Sequence, residues 1–234
     1  MKKFLTANWK DLIMANYEVE PSLLGGRVPA GTELDLQDGR CFVSLVGFMF
    51  LNTRVLGLPI PFNVNFEEVN LRFYVKREVA EEVRRAVVFV KEIVPRFAIA
   101  TVARLVYGEP YDCWRMGHQR TDSRVAYDWS KGGRENRLAV EIEKNLGMPD
   151  ANSHGEFIIE HYWGYTKRRG GRVDEYKVEH PKWELFSVKN EAIDVDFGKT
   201  YGDEFAFLSG EKPYSILLAK GSDIAVFKGQ KIVN

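Results

Sequence analysis

With 234 residues, 45% of them hydrophobic and 28% charged, the chain has the makeup of a folded globular protein. One domain of that length buries roughly 70–75% of its unfolded surface and needs no disulfide or metal to hold it together. Lysine and arginine (33) balance aspartate and glutamate (33), so no net field draws the chain to nucleic acid or to an anionic membrane.

Cys41 and Cys113 are too few for a secreted disulfide framework, and each sits among apolar neighbours as a free thiol. Met1 to Leu5 could open a signal peptide, but Asn8, Lys10 and Asp11 interrupt the apolar run. The longest apolar stretch, Cys41 to Leu51, is roughly half of what a membrane-spanning helix needs. These features predict a cytoplasmic chain without nucleic-acid or membrane partners. No linker or repeat divides it, so residues 1–234 read as one domain.

Strand signals lead in chain order. Glu33 to Leu36 and Arg40 to Val46 flank Asp38-Gly39, a tight hairpin signal. After a turn region at Leu58 to Pro61, strands are predicted over Phe66 to Lys76 and Ala86 to Val94, with Arg77 to Arg85 as a charged connector. Pro95 opens a helix over Arg96 to Val106 that Gly108 closes. Val125 to Trp129 and Arg137 to Lys144 form a pair around Lys131-Gly132-Gly133, and Leu138, Val140 and Ile142 alternate with Ala139, Glu141 and Glu143. Ser153 and Glu156 make a capping-box pattern ahead of a helix over Phe157 to Tyr162.

Gly170-Gly171 turns into a strand at Val173 to Val178, and the basic cluster Lys167, Arg168, Arg169 and Arg172 reads as that hairpin's solvated tip. A third helix is placed near Tyr201 to Leu208. Strands Ser215 to Ala219 and Asp223 to Lys228, split at Gly221, end the chain. Hairpins with two or three short helices give an α+β, predominantly antiparallel architecture curled toward a barrel or cone.

The strand Phe66 to Val75 carries the most informative pattern. Its two-residue period puts Glu68, Asn70 and Arg72 on one face, and Val69, Leu71, Phe73 and Val75 on the other. Arg72 can grip a carboxylate with two parallel hydrogen bonds, and a buried Glu68 could act as general acid or base. A half-exposed strand carrying a cross-strand ion pair would look the same. His161 lies in a run of polar-tipped aromatics, Tyr162, Trp163 and Tyr165, where it faces a pocket or is satisfied by a backbone carbonyl. Tyr107-Gly108-Glu109-Pro110-Tyr111 is a fixed turn whose two hydroxyls and carboxylate could line a cleft.

Other chemistries lack their signatures. No HExxH or CxxC spacing supports a metal, and His154 with His161 is a weak pair. GxGxxG, phosphate-loop and GxSxG motifs are absent, so no cofactor is expected.

Taken in order, Trp9-x-x-Leu12, Glu33 to Asp35, Val43 to Phe48, Phe66 to Val75 and Phe157 to Tyr165 resemble the YqjF-like family, a domain of unknown function, from about Trp9 to Trp183. That family is grouped by fold with the acetoacetate decarboxylases, so the resemblance implies a sheet-built cone around a central pocket. The decarboxylases use a lysine Schiff base, their lysine lying in a Tyr-Gly-Phe-Pro-Lys-Lys stretch. The matching stretch here, Tyr107 to Asp112, puts Tyr111 and Asp112 where the lysines belong, and no lysine occurs between Lys91 and Lys131. Glu68 falls on the decarboxylases' pocket glutamate.

Three functions follow as expectations. In the first, the pocket binds a small polar, carboxylate-bearing molecule through Glu68, Asn70 and Arg72 with Tyr107, Tyr111 or His161, any reaction being unassigned. In the second, the chain is a non-enzymatic homodimeric interaction or structural module with a filled interior. In the third, it is a lyase whose Schiff-base lysine comes from elsewhere, Lys91 being nearest.

Overall fold

The computed structural model describes residues 2–106 and 108–232. Its strands are β1 (Lys3–Val19), β2 (Glu33–Leu34), β3 (Cys41–Val55), β4 (Leu58–Pro59), β5 (Phe66–Val79), β6 (Glu82–Val94), β7 (Tyr111–Cys113) and β8 (Arg115–Thr121). They continue with β9 (Arg124–Lys131), β10 (Arg134–Gly147), β11 (Trp163–Lys167), β12 (Val173–Glu179), β13 (Leu185–Asp194), β14 (Ser215–Phe227) and β15 (Gln230–Lys231). The helices are short: α1 (Phe97–Val106), α2 (His154–Ile159) and α3 (Phe197–Tyr201).

The strands join one sheet in the order β15-β12-β11-β6-β5-β3-β1-β14-β13-β10-β9-β8. Pairing is antiparallel except where β6 meets β11 and β7. The sheet curls back on itself, because β12 also pairs β14 through Val178–Val226 and Glu179–Ala225. The α+β, mainly antiparallel expectation is met.

Burial on both faces explains the long central strands. In β5, Val69, Leu71, Phe73 and Val75 enter one apolar cluster, while Phe66 and Tyr74 enter a second on the opposite face. In β3, Val43 and Leu45 join the first, and Phe42, Val46, Phe48 and Phe50 the second. The first cluster packs toward α3 and β9–β10. The second surrounds the interior of the curl.

Four expectations change. Residues 3–19 carry no strand signal because Asn8, Lys10 and Asp11 break the pattern, yet β1 lies centrally between β3 and β14. Asp38-Gly39 does turn the chain (φ 50° and 80°), but the turn closes only a Gln37–Arg40 bridge. β2 pairs β5 instead at Leu34–Val75, the edge that β3 leaves free beyond Val43–Phe73.

The charged stretch from Arg77 to Arg85 is hairpin arm, not connector, with Arg77 opposite Arg84. Both arginines reach the buried Glu175 carboxylate, at 3.4 and 2.8 Å, which offsets the like-charge pairing. β14 does not break at Gly221. That glycine (φ 77°) sits opposite Lys10, and a Cβ there would lie 2.0 Å from the Trp9 carbonyl oxygen. It marks a close backbone approach in a bent strand, not a turn.

The helices sit near their predicted places. Ser153 Oγ caps the Glu156 amide at 3.2 Å, but the Glu156 carboxylate takes the Asn152 amide, and α2 ends at Ile159. His161 therefore lies beyond the helix. The third helix splits into α3 and a 3₁₀ turn over Asp203–Gly210.

Candidate functional site

The curled part of the sheet encloses a cavity of about 130 Å³. Every strand from β12 round to β14 contributes to its lining, and α1 covers one side through Ile99, Val102 and Ala103. Much of the wall is aromatic: Trp9 meets Phe48, Phe50 and Trp183 edge-on at 5.2 to 6.1 Å.

The polar face of β5 supplies the rest. Glu68, Asn70 and Arg72 all line the cavity, and so do Tyr111 and His161. Tyr107 lies outside the described residues. The exposed-face alternative for β5 is thereby overturned, since Glu68 and Asn70 are 2% and 1% exposed.

Glu68 and Arg72 do not pair. Glu68 accepts hydrogen bonds from Asn70 Nδ2 at 3.0 Å and from the Tyr111 hydroxyl at 2.9 Å. Among the described residues Arg72 makes no ion pair. Its Nη2 reaches only the Ile158 carbonyl at 3.4 Å and Met14 Sδ at 3.7 Å, and its buried Nε has no partner.

Two further carboxyls complete the polar wall. Glu92 stands opposite Asn70 on β6, and Glu109 accepts from the Thr166 hydroxyl. Buried acceptor atoms Glu92 Oε2 and Asn70 Oδ1 lack partners. Burial pushes Glu68 up to about 7, against the opposing pull of Asn70, Tyr111 and the Arg72 charge. Glu109 is likewise pushed up to about 7, by burial. Glu92 is raised well above the usual carboxylate range by burial and by repulsion from Glu109 and Glu68. Burial thus works against the ionised form of all three carboxyls.

His161 is satisfied by a carboxylate, not by a backbone carbonyl. Its Nε2 lies 3.1 Å from Asp35 Oδ2, the oxygen that also accepts from Arg85 Nε at 2.7 Å. Its buried Nδ1 has no partner. Burial lowers the imidazole to about 4, outweighing Asp35, so the ring is neutral at pH 7. Burial also tends to raise Asp35, but hydrogen bonds from His161 and Arg85 hold it below its ordinary value.

The lysine position has a different chemistry. Tyr111 turns its hydroxyl into the cavity, while Asp112 binds Lys131 at 2.9 Å and Trp114 Nε1 at 2.8 Å. Among the described residues no lysine lines the cavity. Lys91 belongs to the other side of β6, where its ammonium donates to the Thr200 carbonyl. His154 bonds Gln37 and Ser215, and no metal-binding group of His, Cys, Asp or Glu forms among the described residues. Arg168 and Arg172 both grip Asp174 beside the Gly170-Gly171 turn, as a hairpin tip should.

Sequence reasoning missed Glu92, His180 and Tyr176 at this cavity, and Asp35 behind it. Glu92 had a signal: one acid on the inner face of an otherwise apolar strand end, Val88 to Val94. The other three lie in segments whose spacing gives no such signal.

Comparison with known proteins places the chain. The family model DUF2071, described as an uncharacterized conserved protein, matches residues 6–223. The uncharacterized protein YqjF of Bacillus subtilis (strain 168) is 41% identical over 68 residues, 29% of this chain and 28% of that relative. The aligned part thus spans little more than a quarter of that relative's length.

Among solved structures, acetoacetate decarboxylase from Legionella pneumophila is similar, with TM-score 0.68 and 10% identity over 99% of this chain and 88% of that one. The enduracididine biosynthesis enzyme MppR, complexed with pyruvate, is similar with TM-score 0.67 and 14% identity over 99% and 91%. At such identities these likenesses concern the fold alone. The chain belongs to the uncharacterized DUF2071 family, whose YqjF-like members it resembles in sequence, on an acetoacetate-decarboxylase-like fold.

Proposed function

We propose that this protein binds a small carboxylic acid with an apolar body in the cavity, Arg72 holding the carboxylate. The observation that carries the reading is the guanidinium of Arg72, which lines a largely aromatic cavity without an ion-pair partner among the described residues. Arg72 is half-buried with its Nε out of reach of water, so leaving it without a counter-charge is costly, and a carboxylate matches its fork geometry. Glu68 feels the Arg72 charge but makes no ion pair with it, and burial works against its ionised form. The aromatic wall formed by Trp9, Phe48 and Phe50 suits an aliphatic or aromatic tail. MppR, of similar fold, is known in complex with pyruvate, which supports a small carboxylate by analogy of fold only.

The test is a titration followed by NMR, comparing hexanoate with hexanamide. Hexanoate is expected to bind and hexanamide to bind far more weakly. Arg72→Met should cost roughly 10- to 100-fold in hexanoate affinity, the worth of one charge-assisted pair. Equal binding of acid and amide, or no effect of Arg72→Met, overturns the reading.

A further inference from the structure

The cavity contains a second arrangement that binding alone does not need. His161 lines the wall with Nδ1 unpartnered and buried, while its other nitrogen is tied to Asp35 at 3.1 Å. Asp35 is itself anchored, by Arg85 at 2.7 Å and through its amide to the Tyr74 carbonyl at 3.0 Å. This fixes the tautomer: Nε2 carries the proton and donates to the carboxylate, leaving the Nδ1 lone pair free. Such a base oriented by a carboxylate is the geometry of acid–base catalysis.

The Arg72 charge acts on the imidazole, and both groups pack on Tyr74. The Tyr74 ring is 4.6 Å from the His161 ring and 5.7 Å from the Arg72 guanidinium carbon. The two groups thus flank one aromatic side chain, whose hydroxyl is pinned to Ser44 at 2.6 Å.

We propose that His161 Nδ1 is the proton acceptor of this site, acting on a carboxylic acid whose hydroxyl or activated C–H stands next to the carboxylate held by Arg72. The inference rests on the carboxylate reading above. In the step, the O–H or C–H bond of the ligand breaks, the proton goes to Nδ1, and the electron pair stays on the ligand. Asp35, the positioning residue, stabilises the imidazolium, which later returns the proton. Glu92, opposite Asn70 on β6 and with its ionised form disfavoured by burial, can donate a hydrogen bond to the charge that develops. No oxidant, metal or further reactant is required.

Two measurements on the full chain test it. The ¹⁵N spectrum of the His161 ring should show Nε2 protonated and Nδ1 bare. Asp35→Asn should weaken that preference, which a merely space-filling role for Asp35 would not do. The second measurement uses bromoacetate, a carboxylate carrying an electrophilic carbon. Alkylation at Nδ1 forms the N–C bond and expels bromide, and peptide mass mapping locates it.

His161 is expected to react at least about tenfold faster with bromoacetate than with bromoacetamide, because the carboxylate holds the reagent in place. Hexanoate should protect it, and Arg72→Met should abolish the difference. A protonated Nδ1, or an unmodified His161 in protein that still binds hexanoate through Arg72, overturns the proton-acceptor role and leaves the binding reading intact. If hexanoate does not bind, both fall.

Discussion

The polar residues of the cavity differ in how far the sequence announced them. Strand periodicity alone put Glu68, Asn70 and Arg72 on one face, and the structure keeps them together. Which face was inward could not be read, because a buried acid–amide–guanidinium row and a solvated one share the same spacing. The decision came from long-range contacts, above all the Tyr111 hydroxyl on Glu68 from 43 residues away. Asp35 had no local signal either, since its partner His161 is 126 residues distant.

The glutamates lead to a pH prediction. Glu92 keeps its proton in the folded chain to a pH well above 4.5, whereas the unfolded chain loses it near that value. Folded protein therefore holds more protons, and stability falls as pH rises toward the folded value. Histidines still protonated in the unfolded chain near pH 6.5 oppose this decline, so the Glu92 share is read as the difference between the wild-type chain and Glu92→Gln. Denaturant titrations from pH 6.5 to 8 should show it, at up to about 1.4 kcal/mol per pH unit for each proton. Glu92→Gln should flatten the slope, and an unchanged slope contradicts the assignment.

The absent cavity lysine gives another prediction. Acetoacetate with borohydride should leave no reduced adduct on the chain, as intact mass reads directly. A stoichiometric adduct would restore Schiff-base chemistry.

At the scale of elements, hairpins with local turn chemistry were readable and long-range pairings were not. The β9–β10 pair turns at Gly132-Gly133, as the sequence indicates. β1 was invisible because a strand buried on both faces and kinked at Asp11 (φ 52°) lacks a clean two-residue period. Gly221 was read as a turn because glycine in a strand pattern has two causes, and only the neighbouring backbone separates them.

Gly221→Ala should therefore cost about 1–3 kcal/mol or more, from the positive φ and the clash with the Trp9 carbonyl. Gly117→Ala in β8, where a Cβ meets nothing within 4 Å, should stay within about 0.5 kcal/mol. Comparable losses at both positions would contradict the close approach of β1 and β14.

For the whole molecule, curling sets what the cavity can be. Because β12 meets both β11 and β14, the second apolar cluster is wrapped around an interior space, and one row of polar residues on β5 faces inward. A flat sheet with the same strand order would have left Glu68 and Arg72 in water. The sequence indicated antiparallel hairpins curled toward a barrel or cone, and the family resemblance implied a pocket inside; the closing pair itself was not legible, since Val178 and Val226 are 48 residues apart in the chain.

The most direct test of the account is a crystal structure grown with 6-bromohexanoate. The account predicts the carboxylate on the Arg72 guanidinium and an anomalous bromine peak among Trp9, Phe48 and Phe50. A cavity without bromine at a saturating concentration, or a carboxylate bound elsewhere, would contradict it.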